Sequence, residues 1–299
     1  MKFLRKTAAF FEYAALRFGV LLVDILPVST ALWLAEKAGS ISWFFMRKRR
    51  RLAVSNVLRT GITDDENEAR RIAKASMQSF GMVAVESLIA TRLITPETQD
   101  KYVEMIVPLE TAELLDDPER GGIFVSAHIG NWEVSGHVIS FWKKLVAVAR
   151  RLNNPFVQDF MEKRNPRANI EIVAKHSKDR MALLRPLRTG MMLGLISDQH
   201  ARSMGVKADF FGHPAQTVAS PARLHLATGC PLVCGYCVRI GKMKFKMEAT
   251  KPLVYEKTGD READVLRITN DLNKHLERII RQYPEQYLWM HRRWRDDEG

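Results

Sequence analysis

The chain has 299 residues, 46% of them hydrophobic, enough for one large domain or two smaller ones with an extensive core. Lys and Arg total 46 against 34 Asp and Glu, a net charge of +12, so the surface attracts an anionic partner: membrane headgroups, an acidic protein or nucleic acid. Nucleic acid is set aside, because there is no zinc-finger spacing, no RNA-recognition aromatic signature and no basic region leading into heptads.

Residues 8–46 are the most apolar part of the chain, interrupted by Glu12, Arg17, Asp24 and Pro27, and followed at once by Arg47-Lys48-Arg49-Arg50-Arg51. A basic block beside an apolar stretch suits anionic headgroups, so residues 1–51 read as a membrane-attachment segment. Asp24 and Pro27 spoil the count of about 20 uncharged residues that a spanning helix needs, which leaves a tilted span and an interfacial helical hairpin both open. A secretory signal is disfavoured, because Arg17 and Asp24 break the apolar run and no small-residue cleavage site stands out.

Thr63-Asp64-Asp65-Glu66 is a capping-box pattern, and apolar positions at helical spacing then predict a long helix to about residue 91. From residue 101 the pattern alternates. Strand-like runs at 103–107, 123–127, 145–149, 170–174, 192–197 and 232–240 are separated by helical stretches at 132–143, 155–164, 178–187 and 220–228. That order predicts an α/β fold with a mostly parallel sheet flanked by helices. Gly241-Lys242 turns into one antiparallel strand at 243–249, and an amphipathic helix at 261–281 ends before Pro284. Residues 52–299 read as one catalytic domain. Cys230, Cys234 and Cys237 are odd in number, which fits a reducing compartment better than a disulfide framework. Zinc with His225 as fourth ligand is disfavoured, since Cys234 and Cys237 have opposite parity along a strand.

The most informative segment is Gly121-Gly122-Ile123-Phe124-Val125-Ser126-Ala127-His128-Ile129-Gly130-Asn131-Trp132-Glu133. An apolar strand ends on His128, Asn131 is placed to cap the next helix, and Glu133 falls in its first turn. A carboxylate on one ring nitrogen fixes the tautomer and leaves the other as proton acceptor, the arrangement for general-base attack by a hydroxyl. The competing reading is a satisfied buried pair. The helix start also offers N–H groups to a phosphate or an oxyanion. Arg150, at a neighbouring strand end, is a candidate phosphate or carboxylate clamp or a surface cation, and Asp198 either a site residue or a local loop cap. His137, His176, His200, His213 and His225 lack a matching carboxylate and read as structural. The tail at 284–295 interleaves aromatics with cations, which suits a membrane–water boundary or a helix docked on the core.

Taken together, His128-Ile129-Gly130-Asn131-Trp132-Glu133, Arg150 with Asn154-Pro155, Asp198-Gln199, Phe210-Phe211-Gly212 with Pro214, Thr228-Gly229 with Pro231, and the ending Pro284-Glu285-Gln286…Trp289…His291…Arg293-Trp294 resemble the lauroyl/myristoyl acyltransferases of lipid A biosynthesis. The likeness spans nearly the whole chain, and departs from the family pattern at Arg151, Asp159 and His200. It implies a glycerol-phosphate-acyltransferase-like fold and an enzyme on the cytoplasmic face of a bacterial inner membrane. The implied reaction moves an acyl chain from acyl carrier protein to a hydroxyl of a lipid A precursor, with no metal or other cofactor. On that reading His128 and Glu133 are catalytic, while Asn131, Arg150 and Asp198 bind substrate or the oxyanion. Three alternatives stand beside it: another lipid acceptor (a lysophospholipid, a phosphoinositide mannoside or an aminolipid), a metal-dependent hydrolase using His128, Glu133 and His137, and a catalytically silent membrane-binding protein.

Overall fold

The computed structural model describes residues 2–164, 169–174, 179, 181–202 and 205–295. Pro27 cannot donate a helical hydrogen bond and divides the apolar N-terminal stretch into α1 (Lys2–Ile25) and α2 (Val28–Phe45). No helix among the described residues is long and apolar enough to cross a membrane. Instead α1 and α2 leave a row of large apolar side chains in the open, including Phe10, Phe11, Phe18, Trp33, Leu34, Phe44 and Phe45. The basic block that follows opens α3 (Arg47–Arg59).

The long predicted helix forms as α4 (Glu66–Leu93), capped by the Asp65 carboxylate on the Asn67 N–H at 2.9 Å. It lies so close to α2 that glycine is required on both sides. A Cβ at Gly39 would stand 2.6 Å from the Gln78 Cα, and one at Gly81 would stand 2.8 Å from the Ala35 carbonyl oxygen.

Short α5 (Gln99–Tyr102) leads into β1 (Val103–Ile106), and α6 (Leu109–Asp116) into β2 (Gly122–Ser126). Then come α7 (Trp132–Trp142), β3 (Leu145–Ala149), α8 (Pro155–Arg164), β4 (Ile170–Ala174), α9 (Leu184–Arg188) and β5 (Met192–Ile196). A hairpin of β6 (Val206–Phe210) and β7 (His213–Thr217) precedes α10 (Ser220–Thr228), β8 (Leu232–Gly241), β9 (Lys244–Ala249) and α11 (Arg261–Gln282). The main sheet has seven strands in the order β1-β9-β8-β2-β5-β3-β4. Central β2 is buried along its whole length, as a strand covered by helices on both faces must be.

Three expectations change. The sheet is mostly parallel, but β1 runs with β9, so two strands rather than one oppose the rest. The segment around Phe210–Pro214, for which the sequence pattern gives neither strand nor helix, is the β6–β7 hairpin, whose two turn residues Phe211 and Gly212 both take positive φ, at 56° and 75°. The helix expected over 178–187 appears as α9 at its end, and residues 178 and 180 lie outside the described residues, as does His176.

Candidate functional site

Strands β2 and β5 pair in parallel with Ser126 opposite Ile196. Two residues past that level, beyond the carboxyl ends of both strands, stand His128 and Asp198, so the register alone brings them face to face. His128 sits at the centre of a tight turn closed by the Ile129 N–H on the Ala127 carbonyl at 2.8 Å. Its Nδ1 lies 2.8 Å from Oδ1 of Asp198, and its backbone N–H donates to Oδ2 of the same carboxylate at 3.1 Å. An ionised carboxylate only accepts, so Nδ1 carries the hydrogen and Nε2 keeps its lone pair in the neutral ring. Nε2 stands 3.5 Å from the Gln199 amide nitrogen, and the imidazole meets Trp132 edge-on at 5.0 Å between ring centres.

The pair is asymmetric in exposure. The His128 side chain is 20% exposed and that of Asp198 2%. Burial pushes the Asp198 pKa up, but the charge of His128 and its two hydrogen bonds outweigh that and hold the carboxyl below its ordinary range. Tyr287, buried, has its phenol held well above its ordinary pKa by burial and by the Asp198 charge. His291 accepts the His200 backbone N–H at 3.1 Å, and burial pushes its pKa down to about 4, so it is neutral at neutral pH.

The chain turns sharply after His128. Gly130 takes φ +57°, and a Cβ there would stand 2.1 Å from the Cys237 carbonyl oxygen, so only glycine fits. Its N–H donates to the Gln286 carbonyl at 3.0 Å, and the Asn131 N–H to the Cys237 carbonyl at 2.7 Å. Asn131 caps α7 as expected, its side-chain oxygen accepting the Val134 N–H at 3.1 Å.

Of the site residues expected from sequence, the structure brings His128, Asn131 and Asp198 together. Glu133 lies part-buried in the first turn of α7, but the carboxylate on the His128 Nδ1 is that of Asp198. Helical spacing put the acid next along the chain in that position, and strand register put there the one 70 residues away. Arg150 is exposed at the end of β3, bonded to Asn153 at 3.2 Å, with β5 between its strand and β2. His137 faces the Ile94 carbonyl at 2.9 Å, and no three His, Cys, Asp or Glu side chains among the described residues are grouped to hold a metal ion. His225 is held by the Cys230 carbonyl and the Tyr255 N–H, not turned to the thiols.

The aromatic tail turns inward. Tyr287, Trp289 and Trp294 are buried, and the segment is neither a membrane belt nor a docked helix but a strap across the site. The Leu288 N–H donates to the His128 carbonyl at 3.0 Å, and Asn56 of α3 holds the Trp289 and His291 carbonyls. Sequence reasoning also missed Glu86 and Arg239, an ion pair behind Asn131 whose carboxylate is fully buried. Its signal was present: Glu86 falls on the stripe Ile72, Ser76, Ser79, Val83, Glu86, Ala90 that α4 turns inward, and Arg239 interrupts the apolar run of β8.

The fold and the site define an α/β enzyme with a histidine–carboxylate pair at the carboxyl edge of its sheet, suited to acid–base chemistry. The chain belongs to the bacterial lipid A biosynthesis acyltransferase family, whose model matches residues 2–296. It is 21% identical over 273 residues to the lipid A biosynthesis palmitoleoyltransferase of Escherichia coli K12, covering 90% of this chain and 86% of that one. It is 23% identical over 281 residues to the lipid A biosynthesis lauroyltransferase of the same organism, covering 93% and 89%. The phosphatidylinositol mannoside acyltransferase of Mycolicibacterium smegmatis is 25% identical over 183 residues, covering 60% of this chain and 58% of that one. The protein is an acyltransferase.

Proposed function

We propose that this acyltransferase moves an acyl chain from the thioester of acyl carrier protein to a hydroxyl of a lipid A precursor. The observation that carries the reading is the 2.8 Å contact between the His128 Nδ1 and the buried Asp198, which leaves Nε2 as the proton acceptor. Nε2 takes the proton of the acceptor hydroxyl as its oxygen attacks the thioester carbonyl. The tetrahedral intermediate then collapses, and the imidazolium returns the proton to the departing thiolate. Asp198, rather than Glu133, holds the imidazole and balances its transient charge. N–H groups in the first turn of α7 steady the oxyanion, and Arg150 meets a phosphate of the acceptor headgroup. The chemistry calls for no metal or other cofactor.

Residues 1–51 attach the enzyme to the cytoplasmic face of the inner membrane by lying in the interface, and residues 52–299 carry the reaction. What supports this is the open apolar row of α1 and α2 beside the basic start of α3. The net charge of +12 suits an acidic carrier protein and anionic lipid alike. The test is His128→Ala, assayed for transfer from acyl carrier protein to a lipid A precursor, with a loss of about a hundred- to ten-thousand-fold expected. A folded variant with near wild-type turnover overturns the role. The likeness to the mannoside acyltransferase favours a second reading, a different lipid acceptor. Mass spectrometry of the product formed from mixed lipid extracts decides between the two.

A further inference from the structure

We infer that Glu86 is a positioning residue of the reaction, acting with Arg239 through the Asn131 amide to fix the turn that carries His128. Asn131 has a single productive orientation. Its side-chain oxygen must face the start of α7 to cap Val134, and its amide nitrogen then faces Glu86 Oε2 at 3.1 Å and the Val83 carbonyl at 3.3 Å. A flipped amide would aim N–H at N–H and leave the Glu86 oxygen without that donor. The Glu86 charge therefore selects the orientation.

Arg239 holds Glu86 in turn, binding both carboxylate oxygens, with the Ser79 hydroxyl at 2.9 Å. The Arg239 backbone carries the effect to the other side of the turn. Its N–H and carbonyl pair with the Gln286 side chain at 2.8 and 2.9 Å, and the Gln286 carbonyl takes the Gly130 N–H at 3.0 Å. Both residues that follow the Ile129 bend are thus tied to one ion pair. A buried ion pair is weak evidence for stability, because desolvation offsets much of its attraction. Glu86 is fully buried, with Arg239 at 12% exposure, so what the pair supplies here is direction: it orients the amide that orients the turn.

The kinetic arm of the test rests on the acyl-transfer reading, and the spectroscopic arm does not. Glu86→Gln leaves a side-chain N–H facing a donor on one side or the other, and Asn131→Asp sets two carboxylates against each other. Each single variant is expected to lower kcat at least about tenfold with KM within about twofold. Glu86→Gln combined with Asn131→Asp turns that hydrogen bond around and keeps one negative charge near Arg239, although the new amide at position 86 then still faces the Arg239 Nη2 that Oε2 accepts in the wild type. It is expected to exceed either single variant in kcat by at least about threefold. In the same proteins the His128 Cε1–H resonance, assigned by its loss in His128→Ala, moves in each single variant and returns in the double one.

Wild-type kcat in the single variants, or no recovery in the double variant when all are folded by thermal melting, overturns the inference. If the singles do not fold, the double variant decides alone: folded, active and with the native His128 resonance it supports the role, and otherwise overturns it. If the wild-type protein transfers no acyl group, the acyl-transfer reading fails. The His128 resonance then judges the positioning role by itself, and an unmoved signal refutes it.

Discussion

Replacing Asp198 by asparagine separates the carboxylate that meets the His128 ring from Glu133, the partner the sequence reading favoured. Asp198 accepts from His128 twice, the ring at 2.8 Å and the backbone N–H at 3.1 Å. In Asp198→Asn the backbone N–H keeps the amide oxygen as its acceptor, so the amide nitrogen is left facing Nδ1. Two donors cannot share that line. The ring gives up its Nδ1 hydrogen, the proton moves to Nε2, and the base has no lone pair where the hydroxyl arrives. A wrong tautomer of this kind costs about 10⁴-fold in the serine-protease triad. The geometry here is the same in kind, so kcat for transfer from a thioester donor is expected to fall about 10³- to 10⁴-fold with KM little changed. Thermal melting reports whether the variant is folded, and Glu133→Gln is run beside it. A folded Asp198→Asn protein within tenfold of wild type refutes the reasoning. A larger loss in Glu133→Gln than in Asp198→Asn hands the role to Glu133.

Gly130→Ala forces a Cβ to within 2.1 Å of the Cys237 carbonyl oxygen at φ +57°. The left-handed backbone costs about 1–2 kcal/mol and the clash adds to it, so a lower Tm and a loss of activity of at least about a hundredfold are expected, and a wild-type Tm would contradict the packing described. The His291 pKa, pushed from about 6.5 to about 4 by burial, corresponds to about 3 kcal/mol, which solvent around the part-buried ring reduces to about 1–2. The folded ring stays neutral while the unfolded chain takes up a proton below about pH 6.5, so stability falls between about pH 6.5 and 4 and then levels. Denaturant titrations at pH 7.5 and 5 should show that fall in wild type and a weaker one in His291→Gln, and equal falls would exclude His291 as its source. Phe44→Ser with Phe45→Ser removes two of the most exposed rings beside the basic block. Each fully buried phenylalanine is worth about 1.5–3 kcal/mol, so sedimentation with anionic vesicles should drop at least about tenfold, and unchanged binding would place the contact elsewhere.

The strands were legible as short runs rich in β-branched and other apolar residues, as at Leu145–Ala149 and, with Glu171 turned out on the edge strand, Ile170–Ala174, which form with those bounds. Direction was not legible in β1, because the periodicity of a four-residue strand is the same read either way. The β6–β7 turn was hidden by Phe211, a residue that rarely takes positive φ, in the place where such turns usually carry asparagine or glycine. At the site, His128 and the Asn131 cap were readable because both are local. Asp198 was visible as a strand end, but its partner depends on β5 lying beside β2, which is a fact of strand order and not of spacing. Glu86 and Arg239 were visible only as interruptions, one in a helix stripe and one in a strand, and nothing in either run says that the other completes it.

The two glycines that let α2 touch α4 backbone to backbone leave no side chain between them to act as a cushion. Helix α4 in turn reaches the strap through Ser76 and the turn after His128 through Glu86. The apolar flank of α2 and the reactive ring are therefore mounted on one stiff frame, and the height of the ring above that flank is a dimension of the helices themselves. If α2 lies in a bilayer interface as proposed, an acceptor head group has to reach the ring at the height those helices set.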